Sequence, residues 1–93
     1  SNKEFPAELM QRCINRQGVL LFSPCDAIKI LNYLEKIRQP VIGIDAFFIS
    51  EHKTQPLMEH SIQYPESDNS SWDRYKTFLS QYLNTSMFFE IVT

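Results

Sequence analysis

The segment from residue 41 to residue 49 constrains the fold of this chain most strongly. It is dense in β-branched and aromatic side chains, and Asp45 is its only charged residue. Pro40 lies directly before it, which ends any preceding helix and favours an extended backbone at Gln39. This composition is typical of a strand that is packed along most of its length. We therefore expect the domain to be built around a central strand here.

Two helices are predicted before this strand. Pro6 suits the first turn of one helix, in which apolar residues recur at three- and four-residue spacing until Gly18 offers a stop. Ser23 and Pro24 supply an N-cap and a first-turn proline for the second helix, which carries one apolar face as far as about Arg38. The short apolar connection between the helices fits either a strand or buried coil, because so short a run shows no decisive period.

Two strands and a third helix are predicted after it. Residues 59–64 alternate between polar and apolar side chains, as expected of a strand that pairs with the central one. Apolar and aromatic residues recur at helical spacing from Trp72 to Leu83, and they predict a helix whose aromatic stripe belongs to the core. Residues 87–92 are predicted to form the last strand, which a helical crossover returns to the free side of the central strand.

The predicted fold class is α+β, in the element order ααββαβ. It consists of a three-stranded antiparallel sheet of order 2-1-3, with three helices packed mainly on one face. Ninety-three residues suffice for one such domain, because a second core would bury too little surface to be stable. The chain is 43% hydrophobic and only 22% charged, which excludes wholesale disorder.

Charge, apolar runs and cysteines narrow the classes of partner. The formal net charge of −2 disfavours a protein that grips a phosphate backbone over a broad surface, so no nucleic acid is expected as a direct ligand. The longest apolar runs are far shorter than the roughly 20 residues that cross a bilayer, so no membrane partner is expected. Cys13 and Cys25 are expected to be reduced thiols of a cytoplasmic protein.

The small net charge hides a concentration of acidic residues in the middle of the chain. Between residues 45 and 73 the net charge is −5, because Lys53 is the only lysine or arginine against six carboxylates. The six are Asp45, Glu51, Glu59, Glu66, Asp68 and Asp73. Strand and loop residues are often acidic for solubility alone, but natural surfaces usually intersperse the two signs. Solubility and a basic binding partner are therefore the two interpretations of this segment.

Strand alternation predicts which side chains share a face. If Ile44 and Ala46 face the helices, Asp45 and Phe47 face away from them, and a register shift of one residue would reverse both sets. A sheet face with carboxylates among exposed aromatic rings suits a basic, partly apolar partner. The predicted partner-binding residues, among which the aromatic rings are the anchors, are Asp45, Phe47, Glu51, Glu59, Tyr64, Glu66, Asp68, Asp73, Phe88 and Glu90.

Catalytic and metal chemistry are not expected. The chain has only two glycines, too few for a glycine-rich phosphate loop, and no Ser, His and Asp set at a recognisable motif spacing. The pairs Glu51-His52 and Glu59-His60 suggest a metal site at first sight, but two histidines without a third firm ligand seldom bind zinc. We therefore expect no catalytic residue, no metal and no cofactor.

Four short segments together resemble a known family. They are Val-Ile-Gly-Ile-Asp at residues 41–45, Met-Glu-His-Ser-Ile at 58–62, Ser-Trp-Asp at 71–73 and Phe-Phe-Glu-Ile-Val at 88–92. In this order they resemble small α+β immunity proteins of bacterial nuclease-toxin systems, over roughly residues 24–92. The resemblance implies a protein without catalytic activity that protects a toxin-producing cell by binding its nuclease toxin, as in nuclease-colicin and contact-dependent growth inhibition systems.

The acidic segment agrees with this implication. A nuclease cleft is basic because it holds phosphates, and clustered carboxylates provide a complementary field that accelerates encounter. We therefore expect the partner to be a basic cognate toxin domain. The alternative is a non-catalytic interaction or oligomerisation module that uses an open sheet edge.

Overall fold

The computed structural model describes residues 5–64 and 71–93. Within these ranges the chain forms three α-helices, five strands and one 3₁₀-helix. In chain order they are α1 (Ala7–Arg12), β1 (Ile14–Arg16), β2 (Val19–Leu21), α2 (Pro24–Lys36), β3 (Gly43–Ile49), β4 (Thr54–Pro56), the 3₁₀-helix (Met58–His60), α3 (Ser71–Ser80) and β5 (Phe88–Val92). The α+β class and the three predicted helices are therefore confirmed.

Helix α2 begins where the sequence predicts and ends in a left-handed turn. The Ser23 hydroxyl accepts a hydrogen bond from the Asp26 N–H at 3.2 Å, which caps the first turn. At the other end Arg38 has a φ of +60°, and the Gln39 N–H donates to the Leu34 carbonyl at 2.8 Å. These two features form a Schellman-type stop, in which glycine is the usual left-handed residue.

Helix α1 is shorter than predicted, because the chain turns into a hairpin. The helix ends at Arg12 and not near Gly18, and β1 then pairs antiparallel with β2, with Arg16 opposite Val19. Gln17 and Gly18 connect the two strands with φ values of +55° and +89°. Two successive positive φ values are the geometry of a type I′ turn, which matches the twist of paired strands. Gly18 therefore serves a hairpin turn and does not stop a helix.

The strands lie in two sheets and not in the single three-stranded sheet that the sequence predicted. β1 and β2 form a two-stranded sheet, and β4, β3 and β5 form a three-stranded sheet in that order. Both neighbours of β3 run antiparallel to it, so the central position of the predicted strand is confirmed. The first sheet was not predicted, because strands of three residues are too short to show an alternation of polar and apolar side chains.

The partner of β3 on one side also differs from the prediction. The paired strand is β4, and residues 59–64 enter the sheet only through Ile62, which exchanges two backbone hydrogen bonds with Ile44, both 2.9 Å long. The side chain of Ser61 takes the place of a backbone acceptor here, because its hydroxyl accepts a hydrogen bond from the Ala46 N–H at 3.0 Å. Hydrogen bonding by a side chain leaves no trace in polar and apolar alternation, so the pattern suggested a regular strand.

The main core lies between the helices and one face of the three-stranded sheet. Its buried residues are Leu9, Phe22, Ala27, Ile30, Leu31, Leu34, Val41, Ile44, Ala46, Tyr75, Leu79, Phe89 and Ile91. All three helices contribute to it, and the aromatic stripe of α3 belongs to it as predicted. Ile44 and Ala46 are fully buried on this inner face, which leaves Asp45 and Phe47 on the opposite, outer face of the sheet.

Candidate functional site

Two carboxylates lie directly opposite each other on the outer face. In the antiparallel register of β3 and β5, Asp45 pairs with Glu90 and Phe47 pairs with Phe88. Opposite residues of adjacent strands have Cβ atoms about 5 Å apart, so the two carboxylates are close neighbours. Like charges in this arrangement repel each other and destabilise a sheet. Folding therefore does not explain the pair.

Neither carboxylate is neutralised within the described part of the chain. There, no cation forms an ion pair with Asp45 or Glu90, and no hydrogen-bond donor contacts either carboxylate. Burial raises the pKa of Glu90 above its ordinary value, and the negative charge of Asp45 raises it further. A positive charge placed next to this pair therefore lowers its electrostatic energy.

Asp45 also borders two shallow depressions near the edge of the sheet. One has a volume of about 180 Å³ and the other of about 230 Å³. Met58 lines the first depression and is 76% exposed. The other lining residues of the two depressions are Ile42, Gly43, Ser61, Ile62, Gln63 and Val92. An exposed apolar side chain next to a carboxylate offers contacts to both the stem and the charged end of a lysine or arginine.

Gly43 allows the segment around Ile62 to approach β3 closely. A Cβ atom at Gly43 would lie 3.1 Å from the Ile62 carbonyl oxygen, so a larger residue would push that segment outward. Gly43 therefore helps to hold the wall of the depressions beside Asp45 in place.

The hairpin of β1 and β2 covers the aromatic end of the outer face. Arg16, Val19 and Phe47 line one cavity of about 410 Å³ between this hairpin and the turn after β3. The Arg16 guanidinium donates to the Ser50 carbonyl at 2.6 Å and to the Thr54 hydroxyl at 2.9 Å, which ties the hairpin to that turn. Arg16, which no sequence pattern indicated, thus brings a positive charge next to Phe47.

The predicted partner-binding residues do not form one continuous group. Asp45, Phe47, Phe88 and Glu90 share the outer face, where both aromatic rings are half-buried. Glu51 is exposed in the turn between β3 and β4. The group that the structure brings together is therefore two carboxylates beside two partly covered rings.

The other predicted residues lie on different elements. Glu59 is exposed on the 3₁₀-helix. Asp73 is exposed on α3, where its carboxylate lies 3.4 Å from the Lys76 ammonium. Tyr64 stacks against the Arg74 guanidinium, which lies 3.9 Å from the centre of the ring. Two further predicted residues lie outside the described ranges: Glu66 and Asp68.

The described residues show neither a metal cluster nor a membrane-spanning helix. His52 lines the cavity beside Phe47, whereas His60 packs edge-on against Tyr82, with 3.0 Å between Nδ1 and the hydroxyl. Among residues 5–64 and 71–93, no group of three or more His, Cys, Asp and Glu side chains is placed to hold a metal ion. Over the same ranges, no helix combines the length and the apolar character needed to cross a membrane.

Comparisons with known proteins gave no match. No protein-family model, curated protein or solved structure was found to match this chain. The functional inference therefore depends on the residues of the chain itself, among which the unneutralised pair of Asp45 and Glu90 is the least expected feature.

Proposed function

We propose that this protein is an immunity protein that binds and neutralises a cognate bacterial toxin domain, without catalytic activity of its own. The observation that carries the proposal is the pair of Asp45 and Glu90 on the outer face, which no cation of the described residues neutralises. A lysine or arginine of the partner, placed between the two carboxylates, turns a repulsive pair into an attractive group of three charges. Binding therefore relieves a repulsion that the free protein carries.

The sign of the surface favours a nuclease as the toxin. A nuclease cleft is basic because it must hold phosphates, so its cationic side chains match these carboxylates in charge. The exposed carboxylates of Glu51 and Glu59 add to the long-range field, and they act on the association rate more than on the affinity. The resemblance of the four sequence segments to immunity proteins favours the same class of partner.

Apolar contacts next to the carboxylates supply the rest of the affinity in this proposal. Met58 is exposed beside Asp45, in the same depression. Well-packed apolar side chains near the centre of an interface usually contribute most of the binding energy, whereas charges at its rim contribute little. The proposed interface is therefore centred on Asp45, Glu90 and Met58.

A change that removes charge and keeps side-chain shape tests the proposal. An immunity function predicts that a neighbouring reading frame encodes a secreted toxin, and the C-terminal domain of that toxin is the binding partner in the test. In the double variant Asp45→Asn, Glu90→Gln, we expect the Kd for this domain to rise by about tenfold or more, with a weaker dependence on salt. Cells that carry the double variant should also lose protection against the toxin.

The matched control is Glu8→Gln, which removes one exposed carboxylate from α1. It changes the net charge but not the outer face, so we expect the Kd to change by less than about twofold. An unchanged Kd and full protection in the double variant would contradict the proposed site. Failure of the wild-type protein to bind the neighbouring domain would contradict the immunity function.

A further inference from the structure

The cavity between the β1–β2 hairpin and the turn after β3 contains a guanidinium that no carboxylate neutralises. Arg16 makes three hydrogen bonds, all to neutral oxygens: the Ser50 carbonyl at 2.6 Å, the Thr54 hydroxyl at 2.9 Å and the Lys53 carbonyl at 3.4 Å. In the part of the chain that the structure describes, no carboxylate lies within ion-pair distance of Arg16. The charge is therefore held in a fixed position without a counter-ion.

Arg16 also keeps hydrogen-bond donors that the fold does not use. Its three bonds come from Nη1 and Nη2, so Nε–H has no acceptor among the described residues, and Nη2 uses only one of its two hydrogens. Arg12 uses the same two nitrogens, Nε and Nη2, to bind both oxygens of the Asp26 carboxylate. This planar arrangement of donors matches a carboxylate in geometry as well as in charge.

The rest of the cavity offers an apolar wall and a further donor. The cavity has a volume of about 410 Å³, which is within the range of small-ligand sites. Its lining residues are Arg16, Gln17, Val19, Phe47, His52 and Thr54, so no carboxylate of the described residues lines it. Val19 and Phe47 are half-buried apolar side chains. The Thr54 hydroxyl accepts from Arg16 and donates to none of the described residues, which leaves its proton for a ligand.

We propose that this cavity binds a small organic monocarboxylate, with its carboxylate on Arg16 and an apolar or aromatic body against Phe47 and Val19. Arg16 is half-buried, so water screens its charge less than it screens a fully exposed one. The two carboxylate oxygens can accept from the guanidinium and from the Thr54 hydroxyl. The inference goes beyond the proposed function, because it needs no toxin and uses neither Asp45 nor Glu90.

The charge of the cavity favours a monocarboxylate over a phosphate. Arg16 is the one guanidinium among the described lining residues. His52 adds little to it, because its exposed ring lies beside the exposed Glu51 carboxylate, with 3.6 Å between Nε2 and Oε1. A phosphate dianion usually requires more positive charge than one guanidinium supplies, whereas a carboxylate is balanced by it.

A second cavity with an arginine is less suited to an anion. It has a volume of about 480 Å³ and lies against α3, where Arg74 and Asp73 both line it. An anion there would meet the Asp73 carboxylate, and the Arg74 guanidinium already stacks on the ring of Tyr64. The cavity at Arg16 is therefore the better site for a carboxylate.

A titration with phenylacetate tests the site directly. This probe joins one carboxylate to one aromatic ring, and it is added to the ¹⁵N-labelled full chain while backbone amide shifts are followed by NMR. We expect saturable shifts that are largest near Val19, Phe47 and Thr54, with a Kd on the order of 1 mM. Phenylacetamide keeps the shape without the charge and should bind about tenfold more weakly. Acetate keeps the charge without the ring and should also bind about tenfold more weakly.

Two arginine variants link the binding to Arg16. Arg16→Lys keeps the positive charge but not the planar set of donors, so we expect the Kd for phenylacetate to rise by about fivefold or more. Arg38→Lys is the matched control, because Arg38 is exposed at the end of α2, and it should leave the Kd within about twofold. If Arg16→Lys fails to fold, Thr54→Val is the second variant. It removes the hydroxyl donor and should weaken binding about threefold.

Several results would overturn the inference. They are shifts that cluster near Phe78 and Gln81 beside α3, equal binding of phenylacetamide, an unchanged Kd in Arg16→Lys, and no saturable shift at about 20 mM phenylacetate. Tighter binding of phenyl phosphate than of phenylacetate would assign the cavity to phosphates and reject the monocarboxylate. Because no toxin is present, failure here leaves the test of Asp45 with Glu90 unaffected.

Discussion

Arg12 and Asp26 form a two-bond ion pair that joins the end of α1 to the first turn of α2. Arg12 Nε lies 2.9 Å from Oδ2 of Asp26, and Nη2 lies 3.0 Å from Oδ1. The Asp26 side chain is 11% exposed, whereas that of Arg12 is 48% exposed. The hydrogen bonds from Arg12 hold the pKa of Asp26 below its ordinary value, although burial acts in the opposite direction. The pair therefore stabilises the fold only while Asp26 is ionised.

Removal of the Asp26 charge should lower the stability and reduce its dependence on acid. Because the folded pKa is depressed, the stabilisation is present above the ordinary carboxyl pKa and is lost as the pH falls through the lower folded pKa. We expect Asp26→Asn to lower Tm by about 4–8 °C at neutral pH. Between about pH 4 and pH 2 the variant should lose less further stability than the wild type. Thermal unfolding followed by circular dichroism measures both effects.

The matched control for this pair is Arg12→Lys. It keeps the positive charge but not the planar fork that makes two parallel hydrogen bonds, so we expect a Tm between those of the wild type and Asp26→Asn. If Asp26→Asn kept the full acid dependence of the wild type, the ion pair would not be its source.

The buried hydroxyl of Tyr75 joins two backbone groups. It accepts from the Tyr64 N–H at 2.8 Å and donates to the Ile42 carbonyl at 3.2 Å. Tyr75→Phe leaves both groups without this partner, and we expect the free energy of unfolding in urea to fall by about 1–3 kcal/mol. Tyr82→Phe is the control, because that hydroxyl is only half-buried beside His60, and it should cost less than about 1 kcal/mol. Equal losses in the two variants would contradict the role of Tyr75.

The elements that depend on local sequence were predictable. Ser23 and Pro24 mark the start of α2, because capping and first-turn geometry involve only near neighbours. The β-branched run after Pro40 identified the central strand for a similar reason, since its composition suits a strand covered for most of its length. These features need no knowledge of the rest of the chain.

The hairpin and the division into two sheets were not predictable, because distant contacts hold them. The spacing of apolar residues remains helix-like beyond Arg12, where α1 ends. Gln17 is an unusual residue at a positive φ, so the turn lacks the Asn-Gly or Asp-Gly signal of a type I′ hairpin. Arg16 fixes the hairpin through Ser50 and Thr54, which are more than thirty positions away in the chain.

For the candidate site, the sequence predicted which face of the sheet Asp45 occupies, but not which residue of the neighbouring strand lies opposite it. Asp45 alternates with Ile44 and Ala46, so the period of two places it opposite the core. That Glu90 lies directly across from Asp45 depends on the register of two strands, and alternation leaves shifts of two residues open. The exposed Met58 beside this pair begins a 3₁₀-helix, where the sequence pattern predicted a loop that leads into a strand at Glu59.

Arg38 ends α2 with a left-handed backbone that suits glycine better than arginine. Its φ of +60° brings a Cβ atom close to the following carbonyl oxygen. We expect Arg38→Gly to be more stable than Arg38→Ala by about 1 kcal/mol in urea unfolding. The alanine variant is the reference because both changes remove the same arginine side chain. Equal stabilities would show that the backbone at this position relaxes out of the left-handed region.

The position of Glu90 opposite Asp45 lowers the stability of the fold by an amount that depends on pH. Burial and, second, the charge of Asp45 raise the pKa of Glu90, so the folded state holds this proton more tightly than the unfolded chain does. Its stabilising contribution is present below about pH 4 and is lost as the pH rises through the raised folded pKa. We therefore expect Glu90→Gln to be more stable than the wild type at neutral pH and equal to it near about pH 3. Urea unfolding at both pH values measures this difference.

Asp45→Asn is the control for the cause of this pKa shift. In this variant, carboxyl-carbon NMR should show that the pKa of Glu90 falls only part of the way toward its ordinary value, because burial remains. A Glu90 pKa that Asp45→Asn leaves unchanged would remove the repulsion on which the proposed binding site depends.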